Sequence, residues 1–188
     1  MSTELVIVVG KVANEFRAEL QKAARELCDT PYKLISPRSA SRIHKLAADA
    51  ASKGGKISCA PIPKEADQEG NIVSFQIIEN VRPEMDFSLQ ESFGPMLGVM
   101  EVSAEEEAIR FINASEYALS SAIWTRDHYR ALGLARKLDA SAVHINGSTV
   151  HDEATLPHGG AKSSGFGRFG GEWGLREFVQ TQTVIMNP

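Results

Sequence analysis

Four side chains able to exchange protons lie in one short segment of the sequence, residues 149–160: His151, Asp152, Glu153 and His158. Histidine titrates close to neutral pH, so an imidazole can accept or donate a proton in a reaction at a carbonyl group. His151 is the strongest candidate, because its ordinary pKa of about 6.5 needs little adjustment. Asp152 is a poorer direct partner for His151, because neighbours on an extended chain point to opposite sides. His158 could return towards His151 if the segment folds back, whereas a solvated loop of mixed charge is the alternative.

Two further polar residues come just before this segment. His144 lies inside a predicted strand, where a histidine is usually buried with its hydrogen bonds satisfied. Asn146 ends the same strand, and we expect it to cap the turn at Gly147. Structural roles are therefore predicted for both residues, and acid–base chemistry is assigned to the loop that follows, where functional groups tend to collect.

The next segment, residues 156–171, contains six glycines with basic and aromatic residues between them. Glycine at this density favours positive φ angles or close backbone approach. Residues 165–170 fit the dinucleotide pattern G-x-G-x-x-G, but no strand leads into them. Lys162 lacks the glycine that precedes the lysine of a phosphate loop. The segment is therefore not a nucleotide-binding motif.

The composition indicates one globular domain spanning residues 1–188, with 43% hydrophobic and 23% charged residues. A net charge of −4 does not indicate a basic surface for binding nucleic acid or an anionic membrane. No apolar run approaches the ~20 residues that a membrane-spanning helix needs. Cys28 and Cys59 have no metal-ligand spacing and are expected to be reduced thiols, which favours a cytoplasmic location.

Apolar periodicity predicts alternating strands and helices. Strands are predicted at residues 5–9, 56–59, 72–78, 96–102, 120–125, 142–145 and 181–186. Helices are predicted from the spacing of Phe16, Leu20 and Leu27, after the Ser36-Pro37 cap, after a capping box at residues 103–106, and over residues 127–138. Residues 61–70 are polar and are predicted to form a loop. This alternation predicts an α/β fold with a largely parallel sheet flanked by helices.

Several motifs resemble those of one enzyme family. Residues 145–147, 156–171 and 174–175 are together similar to the carboxy-terminal signature of the aldehyde dehydrogenase superfamily, and Gln90-Glu91-Ser92-Phe93-Gly94-Pro95 resembles its E-x-F-G-P motif. The order and spacing of the two blocks also match. Residues 149–153 resemble the salicylaldehyde dehydrogenase branch. The chain is identified as a member of this superfamily from about residue 2 to its end, as its catalytic-domain portion.

The resemblance implies what aldehyde oxidation would require. The family uses a cysteine thiolate in a G-Q-x-C context, often followed by residues like Met1-Ser2-Thr3-Glu4, so the nucleophile corresponds to a position just before this sequence. The family's oxyanion asparagine, its general base and its NAD-binding domain lie further upstream. We therefore expect the free-standing chain to bind no cofactor and no metal, and not to act as an NAD-dependent dehydrogenase. Cys28 and Cys59 are expected to be packing or surface thiols.

Two positions matter for the cofactor by the same resemblance. Glu91 and Phe93 match family positions that touch the nicotinamide ribose and ring, but two contacts cannot supply the binding energy of a dinucleotide. We expect residues 93–95 to be kept as a turn, with Phe93 in the core. Glu91 could still offer its carboxylate to His151 and His158, because the family places that position on the cofactor side of the same pocket.

Three functions remain open. The first is cofactor-independent acid–base chemistry (cyclisation, dehydration or isomerisation) on a small molecule with a carbonyl group, carried by His151, His158, Glu91 and Asp152. The second is a non-catalytic pseudoenzyme that acts as an oligomerisation partner. The third is a portion of an NAD-dependent aldehyde dehydrogenase. In the family the terminal strand joins a sheet shared between subunits, so we expect a homodimer or larger assembly.

Overall fold

The computed structural model describes residues 2–58 and 69–188. Contacts between Cα atoms divide the described chain into two compact units: Thr3–Phe111, and Ile112–Pro188 together with Ser2. Each unit is described by itself. The assignment of residues 1–188 to a single domain stays a prediction.

The first unit is built on a four-stranded sheet in the order β1-β6-β5-β3. Its strands are β1 (Leu5–Val9), β3 (Lys56–Ser58), β5 (Gln76–Glu79) and β6 (Met96–Val102). Strand β6 is parallel to both β1 and β5, whereas β3 is antiparallel to β5 at the edge. The predicted α/β class is thus confirmed, with a mixed sheet that is parallel at its centre.

Helices cover both faces of this sheet. They are α1 (Ala13–Ala23), preceded by one turn of 3₁₀ helix (Gly10–Val12), α2 (Arg25–Cys28), α3 (Pro37–Ser52), α4 (Asp86–Leu89) and α5 (Glu105–Ala114). The main core contains Ile43 and Leu46 of α3 against Ile78 and Met100. A second core contains Ala13 and Ala24 with Ile77 and Val99. Successive residues of a strand face opposite sides, so Ile77 and Ile78 serve different cores.

Helix α3 begins as the sequence predicts. Ser36 is the N-cap and its Oγ accepts a hydrogen bond from the Ser39 amide at 3.2 Å, while Pro37 occupies the first turn. The predicted capping box before α5 is wrong by one residue. The Ser103 amide and hydroxyl bond to Glu107 at 3.1 and 3.2 Å, not to Glu106. The reason is that the helix itself begins at Glu105, one residue later than the pattern requires.

The first strand of one further pair in this unit was not predicted from the sequence. Strand β2 (Pro31–Lys33) pairs antiparallel with β4 (Ile72–Ser74). The predicted strand over residues 72–78 is accordingly divided at Phe75, so that its two parts join different sheets. Cys59 and most of the predicted loop at residues 61–70 lie outside the described residues. Cys28, which we expected to be a thiol, is disulfide-bonded.

The second unit contains two small sheets. Strands β8 (Ser120–Ile123) and β9 (Ala142–Ile145) are parallel, and β7 (Tyr117–Ala118) pairs antiparallel with β10 (Ala161–Lys162). Helix α6 (His128–Ala135) connects β8 to β9, and the Asp127 carboxylate caps it by accepting from the Arg130 amide at 2.9 Å. A short helix, α7 (Gly171–Arg176), follows the glycine-rich segment.

The predicted terminal strand at residues 181–186 is wrong, because these residues form no strand. A strand is defined by backbone hydrogen bonds to a neighbour, and a run of apolar residues cannot provide them alone. Val184, Ile185 and Met186 are 75%, 80% and 89% exposed. Within the described chain, no helix has the length and apolar character needed to cross a membrane.

Candidate functional site

A tight turn between α4 and β6 carries the first candidate residues. Phe93 has a φ angle of +51° and its side chain is 77% exposed, whereas Ser92 beside it is 2% exposed. The expectation that Phe93 lies in the core is therefore wrong, because Ser92 occupies the buried position of the turn. A positive φ is costly for a residue with a side chain and persists only where its surroundings hold it.

The Glu4 carboxylate supplies part of that support. It accepts hydrogen bonds from the Ser92 amide at 3.0 Å, from the Ser92 hydroxyl at 2.7 Å and from the Phe93 amide at 3.1 Å. Glu4 is itself fixed just before β1, where its carbonyl accepts from the Gly98 amide of β6 at 2.7 Å. The start of the parallel β1–β6 pair thus places a carboxylate against the backbone of the turn.

Helix α3 supports the same turn from another direction. The Arg42 guanidinium donates to the Ser92 carbonyl at 3.3 Å and also to the Glu91 carbonyl. The Ile43 side chain fills the space in which a Cβ atom at Gly94 would lie. The backbone of residues 91–94 is consequently held by hydrogen bonds from its amides to Glu4 and from Arg42 to its carbonyls, and it packs against the Ile43 side chain at Gly94.

The Glu91 side chain is half-buried at this turn. Burial raises the pKa of its carboxyl group, and the nearby Glu4 carboxylate adds to the increase, whereas the Arg42 guanidinium opposes it. The turn therefore carries the exposed ring of Phe93 and, two residues before it, the Glu91 carboxyl group with its raised pKa. A ring face can stack on a planar ligand, and a carboxylate can accept hydrogen bonds from two hydroxyl groups.

The predicted acid–base loop in the second unit contains two histidine–carboxylate pairs. His151 Nε2 lies 3.2 Å from Glu153 Oε1, and His158 Nδ1 lies 3.5 Å from Asp152 Oδ1. Asp152 therefore approaches His158 rather than its neighbour His151. The partner of His151 is the residue two positions along, which lies on the same side of an extended chain. Such pairs can hold an imidazole in one orientation.

His158 is held more firmly than His151. Its backbone exchanges two hydrogen bonds with Phe169, each 2.8 Å long, and the two rings lie 5.0 Å apart between centroids. Arg168 strengthens this contact by donating to the carbonyls of Gly160 and Gly167, each at 2.7 Å. The glycine-rich segment thus supports one end of the histidine loop through hydrogen bonds to its backbone.

Asn146 and His144, which come before the loop, differ in whether their side chains have hydrogen-bond partners. Asn146 has a structural role, since its side-chain amide accepts from the Thr125 amide and donates to the Thr125 carbonyl, both at 2.9 Å. His144 is half-buried and its ring lies 6.2 Å from that of His151. Its Nε2 atom is buried without a hydrogen-bond partner among the described residues, which corrects the expectation that His144 is fully satisfied.

The proposed site residues fall in both units. His151, Asp152 and His158 belong to the second unit, and Glu91 and Phe93 belong to the first. The arrangement of Glu91 opposite the histidines stays a prediction. Sequence reasoning missed Glu4 and Arg42, and it left Glu153 outside the chosen set although its two-residue spacing from His151 was the available signal. In residues 2–58 and 69–188, no three His, Cys, Asp or Glu side chains form a group that could hold a metal ion.

Comparison with known proteins identifies the relatives of this chain. The model of the aldehyde dehydrogenase family matches residues 1–184. The salicylaldehyde dehydrogenase of Pseudomonas putida is 36% identical over 197 residues, which cover 100% of this chain and 40% of the relative. A vanillin dehydrogenase of Pseudomonas fluorescens is 38% identical over 194 residues, covering 99% of this chain and 39% of the relative.

Solved structures agree with these sequence relationships. The crystal structure of a salicylaldehyde dehydrogenase from Pseudomonas putida G7, complexed with salicylaldehyde, has a TM-score of 0.84 and 36% sequence identity. The match covers 93% of this chain and 37% of that chain. This chain therefore spans about 40% of the length of the curated relatives it matches.

Proposed function

Because the chain belongs to the aldehyde dehydrogenase family, we propose that it takes part in the oxidation of aromatic aldehydes, with the turn at residues 91–94 contacting the cofactor and the loop at residues 149–160 contacting the substrate. The observation that carries this proposal is the turn at residues 91–94. Its phenylalanine is exposed and strained at φ +51°, a conformation that the fold maintains with a carboxylate, a guanidinium and a core side chain. Strain held in this way is typical of a functional position.

The residues present fit the nicotinamide half of NAD, which the family uses. An exposed phenylalanine ring suits the planar nicotinamide, and the Glu91 carboxylate suits the two hydroxyl groups of its ribose. The chemistry supplied by bound NAD would be that of a hydride acceptor for the aldehyde carbon. Phe93 would then keep the ring in place, and Glu91, once ionised, would fix the ribose. The proposal covers the roles of the turn and of the loop alone.

The substrate class follows from the loop and from the relatives. Salicylaldehyde and vanillin, named for two relatives, both carry a phenolic hydroxyl group on an aromatic ring. In the family this loop helps to wall the aldehyde pocket. His151 and His158, each with a carboxylate partner, can form hydrogen bonds with a phenol or phenolate. A hydroxylated aromatic aldehyde is therefore the proposed substrate.

A chimeric enzyme tests this function. This chain would replace the matching segment of the Pseudomonas putida salicylaldehyde dehydrogenase, and NADH formation would be followed with salicylaldehyde and with vanillin. Phe93→Ala should lower kcat because the nicotinamide ring loses its stacking surface. Glu91→Gln should mainly raise the KM for NAD. A folded chimera without NADH formation would refute the proposal, and so would both variants behaving like the parent.

The chain by itself provides the matched control. We expect no measurable NAD or NADP binding in titration calorimetry with millimolar nucleotide, because Glu91 and Phe93 contribute only part of a dinucleotide site. A micromolar dissociation constant would contradict this expectation. The chimera and the isolated chain together separate the contribution of the turn from that of the remaining cofactor contacts.

Cofactor-independent acid–base chemistry on a carbonyl compound is the second candidate. It is favoured by the His151–Glu153 and His158–Asp152 pairs and by the unpartnered Nε2 atom of His144 nearby. Turnover without added nucleotide, abolished in His151→Ala or His158→Ala at nearly unchanged melting temperature, would support it. If both variants keep full activity on an identified substrate, the loop is not the site.

Self-association is proposed on separate grounds. The exposed apolar side chains of Val184, Ile185 and Met186 lie together at the end of the chain, and apolar surface of this kind is often covered by a partner. A homodimer or larger assembly would bury it. This arrangement would also suit the remaining possibility, a non-catalytic oligomerisation partner.

A further inference from the structure

The turn at residues 91–94 is held by two charged side chains that are distant from it in sequence. Glu4 is 88 residues from Ser92, and Arg42 is 50 residues from it. Both contact the backbone of the turn rather than its functional side chains. Glu4 binds the amides of Ser92 and Phe93, and Arg42 binds the carbonyls of Glu91 and Ser92.

These contacts provide hydrogen-bond partners for the N–H and C=O groups of two consecutive peptide bonds in the turn. A carboxylate is an acceptor with two oxygens, and a guanidinium is a planar donor that can reach two carbonyls at once. Hydrogen bonds with a charged partner are stronger than neutral ones and are costly to break when partly buried. Ser92 is 2% exposed, so its amide has no access to water as a substitute partner.

We propose that Glu4 and Arg42 are positioning residues for aldehyde oxidation, which clamp the turn so that the Phe93 ring and the Glu91 carboxylate face the nicotinamide half of NAD. The inference rests on the proposed function. The role of both residues is to hold the backbone of the turn, and no contact with NAD is assigned to them. Their effect is to keep Phe93 at positive φ, the conformation in which its ring is exposed instead of packed into the core.

The clamp makes a specific prediction for amide exchange in the full chain. Glu4→Gln removes the charge and replaces one acceptor oxygen with a donor group that cannot bind an N–H. The amides of Ser92 and Phe93 should then exchange with deuterium about tenfold faster or more, the size expected for losing a charge-assisted hydrogen bond. Arg42→Lys keeps the charge but loses the planar fork, and it should accelerate the same amides less.

A matched control separates this effect from a general loss of a carboxylate. Glu101 belongs to β6 and forms an ion pair with Arg17 at 2.7 Å in the same unit. Glu101→Gln should leave the exchange of the Ser92 and Phe93 amides unchanged. If Glu4→Gln also leaves it unchanged in a folded chain, the clamp does not exist and the inference is overturned.

A second variant tests whether the clamp acts through the backbone angle. Phe93→Gly removes the penalty for a positive φ. The fall in melting temperature caused by Glu4→Gln should therefore be smaller in a chain that also carries Phe93→Gly. An equal fall in both backgrounds would show that Glu4 does not hold Phe93 in its left-handed conformation, and would overturn the inference.

Kinetics in the active chimera distinguish positioning from mere stabilisation. Glu4→Gln should raise the KM for NAD several-fold while leaving the KM for the aldehyde unchanged. Faster amide exchange with an unaltered KM for NAD would overturn the positioning role. If the parent chimera forms no NADH, the proposed function fails, but faster exchange in Glu4→Gln would still support the clamp on the turn.

Discussion

Strand β6 contains a glycine that faces the main core, and replacing it with alanine should destabilise the first unit. A Cβ atom built at Gly98 would overlap the Phe87 ring and would lie 3.0 Å from Val81 and 3.1 Å from Leu5. Phe87 and Val81 are each 4% exposed, so neither can move aside into solvent. Overpacking of a core by one methyl group costs roughly 1–3 kcal/mol, and we expect about 2 kcal/mol for Gly98→Ala.

Gly133 in α6 provides the matched control, because replacing this glycine with alanine should have the opposite effect on stability. A Cβ atom at Gly133 would have no other atom within 4 Å, and its φ angle is not in the left-handed region. Alanine is favoured over glycine in a helix by roughly 0.5–1 kcal/mol. Gly133→Ala should therefore stabilise the second unit by about that amount.

Urea unfolding can resolve the two effects. Both tryptophans of the chain, Trp124 and Trp173, lie in the second unit, so tryptophan fluorescence reports on the unit that contains Gly133. Circular dichroism reports on both units. With an m-value of about 2 kcal/mol/M, Gly98→Ala should lower the midpoint of the first unit by about 1 M.

A compensating substitution makes the test sharper. Phe87→Leu shortens the side chain that the new methyl group would overlap, so it should recover part of the stability lost in Gly98→Ala. An unchanged midpoint in Gly98→Ala, or a double variant that simply adds the two losses, would refute the packing argument.

Three further substitutions test electrostatics and assembly. Burial raises the pKa of Glu91, so the protonated carboxyl group favours the folded chain below the unfolded pKa, and this stability is lost as the pH rises through the folded pKa. Glu91→Gln should therefore raise the melting temperature at neutral pH but not at about pH 4. The opposite trend would contradict this assignment. The hydrogen bond from Lys53 (2.6 Å) lowers the pKa of Asp49, helped by the Asp86 amide (2.8 Å). Asp49→Asn should therefore lower the melting temperature at neutral pH. The difference in melting temperature between wild type and variant should vanish as the pH falls below about 3.9, because the wild-type carboxylate is then protonated, first in the unfolded chain and next in the folded chain. Ile185→Asp should shift the protein towards monomer in light scattering at tens of micromolar, whereas a clean monomer before substitution would reject self-association.

Sequence reasoning succeeds where a segment carries its own signal. Strands β1 and β6 are apolar runs, and α3 has both a serine cap and a regular apolar face, so each was located from local residues. Strand β2 was missed because Pro31-Tyr32-Lys33 has no such pattern and becomes a strand only by pairing with β4. The opposite error at residues 181–186 has the same cause, since strand-forming residues there meet no partner in the described chain.

The candidate site shows the same division. The histidine loop could be selected because its candidate residues are close in sequence, but its pairing was not predicted: Glu153, which contacts His151, was left outside the chosen residues although its two-residue spacing was an available signal. The Glu4–Phe93 contact joins residues 89 positions apart and depends on the register of β1 against β6. No local pattern contains that information, and so the exposure of Phe93 could not be inferred from its sequence neighbours.

The hydrogen bonds of Asn146 also bear on the chemical durability of the chain. Asn146 is followed by Gly147, and an asparagine before glycine loses ammonia readily when the unhindered glycine nitrogen attacks the side-chain carbonyl carbon. Here that side chain is held at both ends by the Thr125 backbone, with two bonds of 2.9 Å. An aspartate produced by deamidation would keep the acceptor but lose the donor to the Thr125 carbonyl. The two bonds that join Asn146 to Thr125 should therefore slow the deamidation of Asn146.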